Sequence, residues 1–202
     1  MKTKAKHQNA RFCVISEENI SPDLDKAIRE TLVVCFPSDR EHFQRYSWWH
    51  CVPVYRVLGR DDRDSIVAHT AVVERSVTVG RNLTKVRVAG VQSFCVLPDY
   101  RGTGLSDRMM SITMEEANRR GFDTGLLFCL NRMETVYGRM GWQKLDSEVY
   151  MRDDKACCVL APPGEPRREG KMPIPAKNIT MFYPLGVRQF PPGDIDLAGT
   201  DW

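Results

Sequence analysis

The sequence lacks the features that mark several common classes of protein. None of its apolar runs approaches the ~20 residues of a membrane-spanning helix, the longest lying near Thr124–Leu130. The seven cysteines form no Cys-x-x-Cys motif and no paired Cys/His spacing, so no metal site is predicted. The basic start at residues 1–6 is not followed by the apolar stretch of a signal peptide. These absences predict a soluble cytoplasmic protein with reduced cysteines.

A strong excess of charge is missing as well. The 29 Lys and Arg residues and 26 Asp and Glu residues leave a net charge of +3, too little to predict a nucleic-acid partner. Hydrophobic residues make up 42% of the chain, which is enough for the core of one α/β domain. We therefore expect a flexible N-terminus at residues 1–10 and a single domain over residues 11–202.

Hydrophobic periodicity predicts strands and helices in mixed order. Strands are predicted at Arg11–Ser16, Val52–Leu58, Ile66–Val79, Thr84–Leu97, Gly125–Leu130, Val149–Met151, Ala156–Leu160 and Ile179–Tyr183. Helices are predicted from the N-cap Ser21 to Cys35, from a capping box at Ser38 through Trp49, over Leu105–Arg120 and over Asn131–Met140. Turns are expected at Gly59–Asp62 and a surface loop at residues 162–177. The order predicts an α/β (α+β) fold, a mixed central β-sheet flanked by helices on both faces.

The most informative stretch joins a predicted strand to an amphipathic helix through a turn with two glycines. Gly102 and Gly104 would let a ligand approach the backbone closely, the amides at the helix start attract phosphate, and Arg101 adds a positive charge. Asp107 stands in place of the third glycine of a dinucleotide fingerprint, and no Gly-Lys-Ser/Thr triplet follows. A pyrophosphate site and a tight turn that binds nothing are both open from these residues alone.

The Arg-x-x-Gly-x-Ser pattern at residues 101–106 resembles the acyl-CoA pyrophosphate loop of the GNAT superfamily of N-acetyltransferases. The resemblance implies an acyl-CoA N-acyltransferase fold, with the pantetheine arm along the preceding strand and a backbone amide, that of Phe94, polarising the thioester carbonyl. The implied cofactor-binding residues are Phe94, Cys95, Val96, Arg101, Gly102, Thr103, Gly104, Leu105 and Ser106.

A second motif follows in the order that this superfamily has. Tyr137-Gly138-Arg139-Met140-Gly141-Trp142 is similar to its Tyr-x-x-x-Gly-Phe segment, which implies that Tyr137 protonates the departing CoA thiolate. A phenol suits this role because its pKa of about 10 keeps it protonated at neutral pH. Taken alone, Tyr137 is better interpreted as a core aromatic residue with its hydroxyl at the surface, and the preceding Arg101 motif is what favours the catalytic role. Asn131 matches a residue that contacts pantetheine in such enzymes.

Several segments resemble aminoglycoside 2′-N-acetyltransferases more narrowly. They are Ile66–Val73, Val91–Ser106, Arg139–Trp142, Val159–Gly164 and Ala198–Trp202. The resemblance implies that Asp201 and the terminal Trp202 bind a cationic aminosugar. The last twelve residues contain three aspartates and no Lys or Arg, which fits a cationic ligand, although a solvated chain end is the alternative.

Gln92 stands where those enzymes have a glutamate that takes up the amine proton, and an amide cannot act as a base. We place Gln92 at the substrate site. The base is then open between His69, Glu74, the C-terminal acids and a water relay to a carboxylate.

The sequence predicts an N-acetyltransferase that moves an acetyl group from acetyl-CoA, without a metal, to a primary amine of a cationic small molecule. No nucleic-acid or membrane partner is expected. A CoA-binding regulatory module and an N-acyltransferase with a longer acyl donor are the alternatives, and a Cys nucleophile paired with His69 lacks an activating motif. The assembly state is open, with a homodimer among the alternatives.

Overall fold

The structure is a computed structural model that describes residues 10–152, 171–186 and 189–202. Ten β-strands lie in these ranges: β1 (Arg11–Ser16), β2 (Tyr55–Arg60), β3 (Ile66–Val79), β4 (Thr84–Val96), β5 (Thr124–Leu130), β6 (Gln143–Leu145), β7 (Val149–Arg152), β8 (Lys171–Pro173), β9 (Asn178–Pro184) and β10 (Ile195–Asp196). Four α-helices accompany them: α1 (Pro22–Cys35), α2 (Arg40–Phe43), α3 (Leu105–Arg119) and α4 (Glu134–Arg139). Short 3-10 turns lie at Glu17–Asn19, Pro37–Asp39, Pro98–Tyr100 and Asn131–Met133.

The described residues form two compact units, each considered by itself. The first contains residues 10–49, 53–72 and 92–113, and the second contains residues 50–52, 73–91 and, as far as they are described, 114–202. The chain passes from one unit to the other within β3, β4 and α3. The prediction of one domain over residues 11–202 stays a prediction.

Both parallel and antiparallel strand pairs are present. In the first unit β1 pairs with β2, and β2 with β3, all antiparallel. In the second unit β4 pairs with β5 and β10 with β7 in parallel, whereas β9 lies antiparallel between β5 and β6, β10 antiparallel to β3 and β8 antiparallel to β7. The predicted mixed β-sheet with flanking helices is confirmed.

Helix α1 begins and ends as its sequence predicts. The hydroxyl of Ser21 accepts a hydrogen bond from the backbone N–H of Leu24 (3.2 Å), and Pro22 occupies the first helical position, where its missing N–H costs nothing. Ile28 and Leu32 are fully buried in the apolar core of the first unit. That core also contains Phe43, Leu58, Ile66 and Cys95.

The predicted helix from Ser38 through Trp49 is wrong for most of its length. Helix α2 ends at Phe43, its N-cap is Asp39 without a side-chain capping bond, and the hydroxyl of Ser38 donates to the Asp39 carboxylate (3.1 Å). Beyond the helix, Ser47 is buried and donates its hydroxyl proton to Asp25. This contact with α1 fixes the chain in a turn.

Two further predictions, a turn and part of a loop, also need correction. Gly59 and Arg60 belong to β2, opposite Phe12 and Arg11 of β1, so the predicted turn at Gly59–Asp62 starts two residues too early. Lys171–Pro173, predicted as loop, form β8, while residues 162–170 and the predicted strand Ala156–Leu160 lie outside the described residues. The short strands β6 and β10 were not expected.

The core of the second unit is built around β-branched and aromatic side chains. Its buried residues are Cys51, Val73, Val77, Val79, Val86, Val88, Leu126, Val149, Phe182, Ile195, Leu197 and Trp202. Gly90 lies against the Trp202 indole, where an added Cβ would approach the ring to 2.4 Å. Any residue with a Cβ at position 90 of β4 would therefore clash with the Trp202 indole.

Candidate functional site

The turn from β4 into α3 keeps open space above its two glycines. Gly102 and Gly104 have φ angles of +76° and +80°, a left-handed conformation that glycine adopts at little cost. Both are exposed, and a Cβ built on either would meet no heavy atom within 4 Å. The glycines are thus required by backbone conformation and leave the turn accessible to a ligand.

Hydrogen bonds hold this turn in place. The hydroxyl of Thr103 donates to the Tyr100 carbonyl (2.6 Å), and the phenol of Tyr100 donates to the Asp61 carboxylate (2.8 Å). Burial and this bond to Asp61 raise the pKa of Tyr100 to about 12. The Gly104 carbonyl accepts from the backbone N–H of Arg108 (3.2 Å), the first bond of helix α3. The turn is therefore anchored on both sides of its glycines.

Arg101 has an exposed position, one hydrogen bond to the end of β4 and an electrostatic effect on two cysteines. Its Nε donates to the Val96 carbonyl (3.0 Å), at the end of β4. A hydrogen bond with Cys95 and the positive charge of Arg101 lower the pKa of the half-buried Cys35 thiol. Cys95 is buried, and its contact with Cys35 together with burial raises the pKa of the Cys95 thiol. Arg101 thus stands beside a thiol pair at the start of the glycine turn.

Strand β4 changes its course at Ser93. Of the four non-glycine residues with positive φ in the described part of the chain, only Ser93 (φ +52°) lies inside a strand. Its buried hydroxyl has no hydrogen-bond partner among the described residues. The parallel register between β4 and β5 covers Val88–Gly90 and ends before this position. Such a conformation costs an L-residue about 1–3 kcal/mol and is found where a strand is re-aimed.

Gln92 is buried beside this irregularity and faces the aromatic segment after α2. Its side-chain oxygen accepts a hydrogen bond from the backbone N–H of Trp49 (2.7 Å). Trp49 in turn stacks on His42, with ring centroids 4.1 Å apart. Gln92 therefore holds the backbone of the segment that the sequence had assigned to a helix.

His69 and Glu74, two candidates for the base, both have partners. The Nδ1 atom of His69 lies 3.0 Å from the Ser93 carbonyl, and its Nε2 lies 3.5 Å from a guanidinium nitrogen of Arg56. A carbonyl can only accept and a guanidinium can only donate, so His69 carries its proton on Nδ1 and is neutral. Burial and the charge of Arg56 accordingly lower the pKa of His69 to about 3. A histidine whose lone pair faces a cation is poorly placed to take a proton from an amine.

Glu74 forms a two-pronged ion pair with Arg87, at 2.8 and 2.9 Å. This hydrogen bonding lowers the pKa of the Glu74 carboxyl. Among the base candidates, His69 and Glu74 thus have structural roles of their own.

Tyr137 and Asn131 lie in the second unit. Tyr137 is buried on α4, its ring edge-on to Trp142 with centroids 6.2 Å apart, and Trp142 meets Tyr183 in the same way at 5.6 Å. The backbone carbonyl of Tyr137 accepts from the N–H groups of Met140 and Trp142, which closes the end of α4. An aromatic contact therefore fixes the orientation of the Tyr137 ring.

Asn131 is exposed and lines a cavity of about 820 Å³. The other lining residues are Arg132, Glu134, Thr135, Gly138, Arg139, Trp142, Lys144 and Met181. Tyr137 is not among them, so the two predicted contacts of the second unit do not share this cavity.

The C-terminal residues are ordered by specific contacts in the second unit. Asp201 lies 3.3 Å from the imidazole of His50, and Asp196 forms an ion pair with Arg152. The indole of Trp202 is 8% exposed and lies 5.0 Å from the ring of Phe128. These acids are not a loose tail, and of the three aspartates only Asp194 is exposed.

The predicted site residues fall into two groups. Gln92, Phe94–Val96 and Arg101–Ser106 belong to the first unit, whereas Asn131, Tyr137, Asp201 and Trp202 belong to the second. The described residues contain no cluster of three or more His, Cys, Asp or Glu side chains that could hold a metal ion. No helix in the described ranges is long and apolar enough to cross a membrane.

The contact between His69 and Ser93 was not predicted from the sequence. A positive φ at a serine is not predictable from the sequence, because glycine and asparagine are the residues that usually adopt this conformation. The pairing of His69 with Ser93 spans 24 positions and has no local pattern.

The chain is similar to known acetyltransferases in sequence and in fold. A family model described as an acetyltransferase (GNAT) domain matches residues 20–145, more than half of the chain. No protein with a curated description matches the sequence.

Solved structures resemble the fold at low sequence identity. The GNAT family N-acetyltransferase YhbS from Escherichia coli, solved in complex with CoA, is 15% identical with a TM-score of 0.58, over 93% of this chain and 89% of that one. Escherichia coli ElaA is 15% identical with a TM-score of 0.56, over 87% and 99%. An acyl-CoA N-acyltransferase from Pseudomonas aeruginosa is 12% identical with a TM-score of 0.55, over 87% and 99%. At these identities the likeness concerns the fold, and the narrower resemblance to aminoglycoside 2′-N-acetyltransferases stays a prediction.

Proposed function

Because the chain belongs to the GNAT acetyltransferase family, we propose that it transfers an acetyl group from acetyl-CoA to a primary amine of a cationic small molecule. The candidate acceptor is an aminoglycoside or another aminosugar. The observation that carries the proposal is the open glycine turn at residues 101–106, which is anchored on both sides and has a cation at its start.

The turn suits a pyrophosphate for physical reasons. The left-handed glycines present backbone to solvent without side chains, and the 15-residue helix α3 begins directly after them, where the backbone amides of a first helical turn attract phosphate. Arg101 would add charge-assisted hydrogen bonds, each worth about 1.5–3 kcal/mol. Phe94–Val96 would hold the pantetheine arm in this proposal, with Asn131 as a further contact.

Acetyl-CoA supplies a thioester that an amine can attack directly, so the protein needs no covalent intermediate. The Phe94 N–H would donate to the thioester oxygen as negative charge develops there. Tyr137 would donate its phenolic proton to the departing sulfur, and it is fixed for this by its contact with Trp142. Gln92 would orient the acceptor, since its amide cannot take up the amine proton. That proton would leave through water to a carboxylate.

Asp201 and Trp202 are the proposed acceptor contacts. The Asp201 carboxylate is 20% exposed and retains an accessible edge beside His50, which suits a cationic ligand. The Trp202 side chain contributes through its packing on Gly90 and Phe128, which fixes the chain end where Asp201 precedes it.

The proposal is tested with the purified full chain, acetyl-CoA and a panel of amines that includes aminoglycosides, polyamines and peptides. We expect acetylated product, identified by mass spectrometry, with at least one cationic aminosugar and none without the protein. Tight binding of CoA without product from any amine would instead favour a regulatory CoA-binding module. Turnover only with longer acyl thioesters would favour a different acyl donor.

A further inference from the structure

A series of buried contacts in the first unit ends at Ser93 of β4. Arg56 is fully buried and donates to both carboxylate oxygens of Glu17, at 2.6 and 2.7 Å, and to the Ser47 carbonyl at 3.0 Å. The remaining contact of this guanidinium is with Nε2 of His69. Three fixed oxygen acceptors therefore hold Arg56, and Arg56 holds one edge of the imidazole.

The other ring nitrogen of His69, Nδ1, contacts the peptide group that joins Ser93 and Phe94. The Nδ1–H of the buried His69 donates to the Ser93 carbonyl at 3.0 Å. The Ser93 carbonyl and the Phe94 N–H belong to the same peptide unit, and no described peptide bond is cis. In a planar trans unit these two groups point in opposite directions. Fixing the carbonyl on His69 therefore also fixes the direction of the Phe94 N–H.

The hydrogen bond from His69 lies at the one irregular position of β4, Ser93. Ser93 has a positive φ, which serine adopts only when its surroundings hold it there. Thr70, the next residue after His69 in β3, also reaches β4, with its hydroxyl 3.5 Å from the Gln92 carbonyl. The irregular segment of β4 is thus held by side chains of β3.

We propose that His69 is a positioning residue for acetyl transfer, because its Nδ1–H holds the Ser93 carbonyl and thereby aims the Phe94 N–H at the thioester oxygen. The inference rests on the proposed function for the role of Phe94, and on the geometry alone for the contact. His69 neither touches the substrate nor takes up a proton in this role.

The contact itself is tested first, by NMR of the full-length protein labelled with ¹⁵N. We expect the imidazole ¹⁵N shifts of His69 to be those of the neutral form protonated on Nδ1 at pH 7. In His69→Leu, which keeps the apolar volume and removes the donor, the amide resonance of Phe94 should move strongly. In His69→Asn, whose side-chain amide can donate from nearly the same position as Nδ1, it should stay close to that of the wild type.

Kinetics then separate positioning from simple support of the fold. His69→Leu should lower kcat for an active amine by about 10–100-fold, with the KM for acetyl-CoA within about threefold, because a misdirected amide weakens mainly the transition state. His69→Asn should recover most of this loss. Melting temperatures of both variants report stability separately, and Thr31→Val, which removes a buried hydroxyl on α1, serves as the control in the same unit.

The outcomes distinguish this inference from the proposed function. A His69 protonated on Nε2, or an unmoved Phe94 resonance in His69→Leu, overturns the contact whatever the protein catalyses. Equal losses of kcat in the Leu and Asn variants, in proportion to their melting temperatures, would reduce His69 to a core residue. If the wild type acetylates no amine while the NMR result is as expected, the proposed function fails and the contact stands.

Discussion

The imidazole of His69 lies 3.0 Å from the carbonyl of Ser93 and has no solvent exposure. Among the described non-glycine residues, Ser93 is the only one inside a strand that has a positive φ, and His69 supports it there. This histidine has to stay neutral, because its second nitrogen faces Arg56. The strand irregularity and the protonation state of His69 are therefore coupled.

This coupling predicts how stability depends on pH. Burial and Arg56 lower the pKa of His69 from 6.5 to about 3, so the unfolded chain binds a proton between these values and the folded chain does not. The stabilisation is complete above pH 6.5 and is lost progressively as the pH falls toward 3. Each pH unit within the window should cost about 1.4 kcal/mol. Urea unfolding of the wild type and His69→Asn between pH 7 and 4 measures the difference, and parallel curves would contradict it.

Ser93→Gly should stabilise the protein by about 1–2 kcal/mol. Glycine removes the backbone strain and the unpaired hydroxyl, which together outweigh the entropy of about 0.5–1 kcal/mol that glycine loses on folding. Ser93→Ala is the matched control, because it removes the hydroxyl and keeps a Cβ at positive φ. Chemical unfolding should rank Gly above Ala, and the reverse order would mean that Ser93 is unstrained.

Tyr137→Phe should lower turnover about 100-fold or more and leave the affinity for acetyl-CoA unchanged, because only the proton donor is lost. The ring keeps its contact with Trp142 in this variant, so the fold is preserved. Tyr183→Phe is the control, since Tyr183 meets the same indole at 5.6 Å. Steady-state kinetics and calorimetric binding measure the two effects. Wild-type turnover in Tyr137→Phe would remove Tyr137 from the acid role.

Arg101→Ala should weaken the binding of CoA by about 1.5–3 kcal/mol, because a charged partner of the pyrophosphate is removed. Gly104→Val should do the same by disturbing the positive φ and covering the open backbone. Arg63→Ala, at another exposed arginine of the first unit, is the control. Calorimetric affinities for CoA that do not differ among the three variants and the wild type would leave the glycine turn without a ligand.

Asp201→Asn should raise the KM for a cationic amine while acetyl-CoA binding is preserved. Loss of a partner for a buried ammonium costs about 2–5 kcal/mol, whereas a screened surface charge contributes less than about 1 kcal/mol. A point substitution is preferable to deleting the last residues, because Trp202 lies in the core of the second unit. Asp194→Asn is the exposed control. An effect of equal size in both variants, abolished by salt, would assign Asp201 to the general acidic character of this segment.

Local sequence signals predicted the elements that depend on local physics. Helix α1 follows from Ser21 and Pro22, and β3 was predicted with its observed bounds, Ile66–Val79, because both rest on periodicity and end signals within the segment. The predicted helix from Ser38 through Trp49 is too long, and within that range Ser47 instead bonds to Asp25 of α1. A capping box is recognised locally, but a competing tertiary contact is not.

In the candidate site, too, local features were predictable from the sequence and long-range contacts were not. The glycine turn was visible because only glycine suits its backbone angles and its residues are consecutive. The contacts of Arg56 with Glu17, and of His69 with Ser93, join positions 39 and 24 residues apart. Nothing in the neighbouring residues encodes such partners, so the support of β4 emerges only in three dimensions.

A hydrogen bond with Cys95 and the charge of Arg101 lower the pKa of the Cys35 thiol, which makes its background reaction a control to run in assays that count free sulfhydryl groups. A larger thiolate fraction speeds attack on aromatic disulfide and maleimide dyes, so enzyme would consume dye before substrate is added. Turnover is better followed through the acetylated product or the thioester absorbance, and Cys35→Ser removes this one thiol while the other six cysteines remain.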